Sequence, residues 1–254
     1  MLKNERFLYI MDAITSRGVV TVREIMDACG VSDMTARRDL AELEQEGRLT
    51  RVHGGAQGLD FSLPQELSHT EKIAHEEAEK VAIARAALAH IHEQDCVFLG
   101  PGTTTEELAR QLRGMDVTVV TTSHPVFMAL RGDATAKVYL VGGEYRAKTE
   151  SFVGEITNEQ VRAFTFGGTF IGCNGIVGDA IMSSSPAEGV IQKTAIDHAQ
   201  HRYVLADHTK FGRRALYTYC HLQDFDACIT DAGIDPAQAE SAGEHTTLEV
   251  VEAG

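Results

Sequence analysis

Between Phe7 and Leu43 the apolar residues recur at helical spacing in three separate blocks, and the breaks between those blocks constrain the fold most. Phe7, Ile10, Met11 and Ile14 fall at i, i+3, i+4 and i+7, the stripe of one amphipathic helix. Arg17-Gly18 ends it, and Val19-Val20 is long enough only for a brief strand. Thr21 with Glu24 three residues on is a capping-box pattern, which opens a second helix with Ile25 and Ala28/Cys29 inward. Gly30-Val31 makes a tight turn, and Ser32 is an N-cap for a third helix whose buried face is Ala36, Leu40 and Leu43. At about 100° per residue, Met34, Arg38 and Ala41 point nearly opposite that face, with Arg37 and Thr35 on its flanks. Gly47 supplies a stop. Leu49-Thr50-Arg51-Val52 followed by His53-Gly54-Gly55-Ala56 then reads as a hairpin.

Three short helices, a turn, a cap and a Gly-rich hairpin in that order predict a winged helix-turn-helix. Such a module presents short or bidentate donors near the start of its third helix while the back of that helix packs on the second. Arg37 and Arg38 suit guanine edges or phosphates, and Ser32 and Thr35 suit phosphates. Met34 shares the outward face, and Arg51 and His53 are available to the backbone or the minor groove. The expected partner is double-stranded operator DNA. The net charge of −14 bears on this through its distribution. Through residue 58 there are eight Lys/Arg against nine Asp/Glu, and beyond it fifteen against twenty-eight. An acidic body suppresses general adhesion to nucleic acid, so affinity must come from a small oriented patch. That disfavours a general nucleic-acid coat protein and permits a specific reader.

Other classes fall away quickly. No apolar run approaches the roughly 18–20 residues that span a bilayer, so no membrane role is expected. The N-terminal residues hold no apolar signal core, which predicts a cytoplasmic protein. The five cysteines, Cys29, Cys96, Cys173, Cys220 and Cys228, form no CxxC pair and sit in apolar stretches, so neither metal nor disulfide is expected.

Residues 57–69 lack a steady period and include Gly and Pro, the mark of a boundary. We expect a DNA-binding domain over 1–57, a linker and the start of a connector helix over 58–75, and a sensing and oligomerisation domain over 76–254. A helical stripe runs from Thr70 to Ile91 through Ile73, Val81, Ala84 and Leu88. After Asp95, short apolar runs such as Cys96–Leu99, Val117–Thr121 and Tyr203–Ala206 alternate with helical stretches, the pattern of a mostly parallel sheet covered by helices. Ligands of such sheets bind beyond the carboxyl ends of strands. There the chain places Gly100-Pro101-Gly102-Thr103-Thr104, Thr121-Thr122-Ser123, Gly142-Gly143-Glu144-Tyr145-Arg146, Gly172-Cys173-Asn174-Gly175 and Asp207-His208-Thr209-Lys210. Lys193 lies on the helix before the last. Glycines beside hydroxyls at a helix start make an oxyanion cradle, or a plain N-cap. The full spacing of a P-loop or dinucleotide fingerprint is missing, so ATP and NAD are poor candidates and no cofactor is expected.

The run from Arg6 through Ile10 and Ile14 to Ser32-Asp33-Met34-Thr35-Ala36-Arg37-Arg38-Asp39-Leu40, with Leu49–Ala56 after it, resembles the DeoR family of sugar-metabolism repressors. The strand-end motifs resemble that family's effector domain. The resemblance implies an α/β chain: a winged helix-turn-helix followed by an effector domain akin to sugar-phosphate isomerases. It implies a phosphorylated sugar as effector, with Gly102, Thr103 and Thr104 on the phosphate and Lys193, Asp207 and Lys210 on phosphate or hydroxyls. Thr122, Ser123, Gly143 and Arg146 complete the candidate effector site. Gly100-Pro101 departs from the Asp-Ser of many members and resembles one branch of the family. The expected protein is a repressor acting as a homo-oligomer, dimer or tetramer. The rivals are a sugar-phosphate isomerase using Lys193, Asp207 and Glu188, and a regulator that activates.

Overall fold

The computed structural model describes residues 2–52, 54–58, 66–73 and 75–253, with backbone only for 15–17. It divides into two compact units, Met1–Leu63 and Pro64–Gly254.

In the first unit α1 (Lys3–Arg17) is followed by β1 (Val19–Thr21), α2 (Val22–Cys29), α3 (Asp33–Gln45), β2 (Thr50–Val52) and β3 (Gly55–Gln57). The caps form as the sequence predicts. Thr21 Oγ1 accepts from Glu24 N at 3.1 Å while Glu24 Oε2 accepts from Thr21 N at 2.7 Å. Ser32 Oγ accepts from Thr35 N at 3.3 Å. Gly30, at φ +66°, turns the chain between α2 and α3 in a region that penalises other residues. Ile10, Ile25, Ala36, Leu40 and Leu43 meet in one core, each at most 1% exposed. The strands pair antiparallel in the order β1-β3-β2. A Cβ at Gly55 would lie 2.2 Å from Val20 O, so only glycine lets this hairpin close on β1.

The second unit begins with α4 (His69–Ile73) and α5 (Glu77–Leu88). The single stripe read from Thr70 to Ile91 is therefore two helices. Glu76 adopts φ +51° at the break, and buried Lys80 returns its ammonium to the carbonyls of Lys72 (2.6 Å) and His75. A side chain satisfying the carbonyls at a helix end is a strong stop.

Next come β4 (Cys96–Leu99), α6 (Thr103–Gln111), β5 (Thr118–Thr121), α7 (His124–Leu130), β6 (Lys137–Leu140), β7 (Glu144–Arg146), β8 (Ser151–Val153), α8 (Glu155–Arg162) and β9 (Phe166–Gly172). The chain continues through β10 (Gly175–Val177), β11 (Ala180–Ser183), α9 (Pro186–Asp197), β12 (Ala199–Leu205), β13 (Tyr217–His221), β14 (Ala227–Asp231), α10 (Pro236–Gly243) and β15 (Thr247–Val251). Seven strands form one sheet in the order β15-β14-β12-β9-β4-β5-β6, every pair parallel. Side chains alternate across it. Val97 and Leu99 join Leu108 and Val126 on one face, while Phe98 joins Ile191 and Val161 on the other. That period of two, with both faces buried, explains why these strands read as continuous apolar runs. The antiparallel set β10-β11-β13 and the β7-β8 hairpin flank the sheet.

The strand order fixes where a ligand can sit. From β4 the chain builds outward through β5 and β6; from β9 it builds the other way through β12, β14 and β15. The order reverses between β4 and β9, which opens a crevice beyond their carboxyl ends.

Candidate functional site

That crevice is a cleft. It encloses about 720 Å³, its open mouth included, and is lined from the β4, β9 and β12 ends together with α4 and α9. After β4, Thr105 Oγ1 donates to Gly100 O at 2.6 Å and Gly102 O at 2.9 Å, which folds the loop into the start of α6. Gly102 occupies the N-cap, where no side chain can accept the first amides of the helix. The N–H groups of Thr103 and Thr104 therefore stand at the positive end of α6, beside the cleft that both residues line. Free amides at a helix start are the arrangement that favours an anion.

Two lysines flank it. Lys210 Nζ lies 2.8 Å from Asp207 Oδ2. Lys72, half-buried on α4, forms no ion pair or side-chain hydrogen bond among the described residues. Burial pushes its ammonium pKa down, opposed by Glu66 and Glu188 and reinforced by Lys210. The lining also holds acceptors. Glu188, 5% exposed, accepts from Ser151 Oγ at 2.8 Å and from Thr149 Oγ1. Gln192, 4% exposed, lines the cleft, and its buried Oε1 has no hydrogen-bond donor among the described residues. A buried acceptor without a donor is costly unless a ligand supplies one. The lining thus combines helix-start amides and lysine ammoniums, which donate, with carboxylate and amide oxygens, which accept.

The turn after β12 is held by Asp231, whose carboxylate accepts from His208 N at 2.7 Å and lies 2.8 Å from His208 Nδ1. Burial raises the Asp207 carboxyl pKa, but Lys210 and Thr209 outweigh it and hold the group below its ordinary 3.8. A depressed carboxyl contributes stability above its unfolded pKa and loses it as pH falls through the folded one. The thermal midpoint of the sensor should therefore fall in acid below about pH 4. Asp207→Asn should flatten part of that fall; an unchanged acid limb would remove Asp207 as a contributor.

Of the effector residues expected from the sequence, the cleft gathers Gly102, Thr103, Thr104, Asp207 and Lys210. The others lie elsewhere. Thr122 and Ser123 are buried at the end of β5, where Ser123 Oγ accepts from Val126 N as the cap of α7. Gly143 packs where a Cβ would stand 1.9 Å from Thr157 Oγ1. Arg146 sits behind the wall, 2.5 Å from Glu66 and 3.7 Å from Glu188. Lys193 turns outward to Asp197 on its own helix. Sequence reasoning passed over Lys72, His69 and Gln192. His69 Nε2 lies 2.8 Å from Glu106 Oε2.

In the first unit, Met34 is 80% exposed at the start of α3. Arg38 is exposed and forms no ion pair among the described residues, whereas Arg37 Nε lies 2.6 Å from Asp33 Oδ1 one turn back. Ser32 Oγ and Thr35 Oγ1 are 3.0 Å apart at the cap. Arg51 is tied to α3 through its backbone N–H, which donates to Glu44 Oε1 at 2.8 Å, and its guanidinium lies 3.9 Å from the same carboxylate. His53 lies outside the described residues. Asp39 is fully buried and pairs with Arg6 rather than with a neighbour on α3.

A helix-turn-helix head followed by a sensor with a ligand-sized cleft defines a DNA-binding transcriptional regulator. Residues 6–60 match the DeoR-like helix-turn-helix domain and residues 75–232 the DeoR C terminal sensor domain, and the chain belongs to the DeoR family. Similar proteins include the lactose phosphotransferase system repressor of Lactococcus lactis subsp. lactis, 40% identical over 98% of each chain. The repressor of the same name from Streptococcus mutans is 41% identical over 92% of this chain and 94% of its own. A solved ribose 5 phosphate isomerase A from Neisseria gonorrhoeae overlaps 56% of each chain at 15% identity, with a TM-score of 0.40. With a DNA-binding head and named repressors as relatives, the chain is a regulator rather than an enzyme. Among the described residues no helix is long and apolar enough to cross a membrane.

Proposed function

We propose that this regulator represses a sugar-utilisation operon by holding double-stranded operator DNA on α3 and the hairpin, and lets go when a phosphorylated sugar enters the cleft. The cleft at the strand-order reversal carries the effector half of this reading. It brings uncapped helix-start amides and two lysines together with two acceptors, Glu188 and Gln192, and with the Lys210–Asp207 pair. A phosphate suits the first set and a polyol the second. The relatives' name supports a sugar as the signal. Residues 1–57 read DNA, and the sensor begins within the 58–75 stretch, whose His69 and Lys72 face the cleft. A homo-oligomer, dimer or tetramer, brings two heads to half-sites about one helical turn apart, or a multiple of it. Release requires the sugar to bind the DNA-free form more tightly than the DNA-bound one.

On α3, Arg38 and Met34 address the bases, Arg38 a guanine edge and Met34 a thymine methyl, while Ser32, Thr35, Arg37 and Arg51 address the backbone. Arg38→Ala should weaken operator binding by about 1–3 kcal/mol in a gel-shift titration at fixed salt. Unchanged affinity would overturn the assignment of α3. A thermal-shift screen with pentose and hexose monophosphates tests the cleft, since a ligand of the native state raises its midpoint. A screen with no shifts, and no release of DNA by any of them, would overturn the effector reading.

A further inference from the structure

Next to the cleft lies a second cavity of about 680 Å³, its open mouth included. Lys72, Asn174 and Lys210 line both, so the two are compartments of one depression. Their charges differ. In the cleft Lys72 and Lys210 face Glu188 and Asp207, which balance them. In the second compartment the same two lysines are joined by Lys80 and Arg213, and the lining adds a single carboxylate, Glu76. This cationic hollow belongs to a stretch of chain that carries fifteen Lys/Arg against twenty-eight Asp/Glu. An acidic surface focuses little anion toward itself, so a local reversal of sign marks the place where an anion is meant to arrive.

The cations are also poorly answered by the protein. Lys80 is 6% exposed, and carbonyls rather than a carboxylate receive its ammonium. Arg213, like Lys72, forms no ion pair or side-chain hydrogen bond among the described residues. Burial pushes the pKa of both Lys72 and Lys80 down. A desolvated cation that no carboxylate touches directly is less favourable than one that an anion has joined. The uncapped start of α6 already provides for one anion in the first compartment, so these cations await another.

We propose that the second compartment binds a second anionic group of the same ligand, and that the effector is a doubly anionic sugar. One phosphate rests on the Thr103 and Thr104 amides, the carbon chain runs past Lys72 and Lys210, and the second group lies between Lys80 and Arg213. That group is a phosphate in a sugar bisphosphate or a carboxylate in a phosphorylated sugar acid. The inference rests on the reading of the cleft as a sugar-phosphate site.

Calorimetric titration of the full chain with matched ligands tests it. Hexose 6-phosphates are compared with the corresponding 1,6-bisphosphates and with phosphorylated aldonic acids. A doubly anionic ligand should bind about ten- to a hundredfold tighter than its monophosphate, the scale of one added charge-assisted contact. Which of the two series shows the gain tells a phosphate from a carboxylate. Arg213→Ala should erase most of the gain and Arg213→Lys should restore part of it, both with the wild-type thermal midpoint. Monophosphates that bind as tightly as every double anion would overturn the second subsite and leave the cleft reading standing. Equal weakening of both members of a pair by Arg213→Ala would do the same. Binding by no sugar phosphate of either kind would overturn both readings.

Discussion

Replacing Asp39 with alanine should unfold the DNA-reading unit at temperatures where the rest of the chain stays folded. Asp39 is fully buried on α3, and its carboxylate takes Arg6 Nε at 2.6 Å and Nη2 at 3.0 Å in a bidentate pair. Arg6, on α1, is itself 7% exposed. Such a pair contributes little over an apolar substitute, but removing one partner leaves the other charge desolvated, which is strongly destabilising. The unit is small, so its thermal midpoint should fall by more than about 10 °C. Hydrogen exchange on the full chain localises the effect, with faster exchange across α1, α3 and the hairpin while the amides of β4, β9 and β12 stay protected. Operator binding should vanish with the fold of α3. Asp39→Asn keeps the shape but not the charge and should fall between wild type and alanine. Wild-type protection of α3 in Asp39→Ala would show that the pair is dispensable.

A second large effect is expected at Lys72, with the opposite signature. Lys72→Met should leave operator binding intact and make it indifferent to sugar phosphate. Loss of a charge-assisted contact to a phosphate should weaken ligand affinity about ten- to a hundredfold. The free protein should be at least as stable as wild type, because the fold depresses this ammonium's pKa and so disfavours its charged form. Thermal shift separates these outcomes in one series: the midpoint without ligand holds or rises, and the ligand-induced increment disappears. An increment of wild-type size would place the phosphate away from Lys72.

The contrast between the two units shows what local sequence can encode. Caps and spacing determine the winged head, because Thr21, Gly30 and Ser32 each act within a few residues of where they stand. The parallel sheet was readable for a related reason: strands buried on both faces have no alternative to apolar runs. The cleft walls were harder. α4 and α5 read as one stripe because neither Gly nor Pro marks the break at Glu76; the stop comes from Lys80, a residue that ordinarily favours helix. On α9, Lys193 attracted attention as a charge, yet its neighbour Gln192 enters the cleft. A rotation of about 100° separates adjacent helical residues, and the apolar stripe of α9 could not say which polar side faced inward. The short strands β10, β11 and β13 had no clear period and form chiefly against one another.

The placement of α4 has a bearing on how proteins of this design exchange parts. The sensor domain matched by the family begins at residue 75, yet His69 and Lys72, which line its cleft, precede that point. A chimera joined at residue 75 would carry part of the cleft lining, and with it part of the proposed binding pocket, away with the transplanted head. Its ligand preference would then follow the donor of the head as well as the donor of the sensor. Grafts meant to preserve the signal must be joined upstream of Glu66, whose carboxylate is tied to Arg146 behind the cleft wall. The stretch of chain that joins reader to sensor is thus inherited with the pocket.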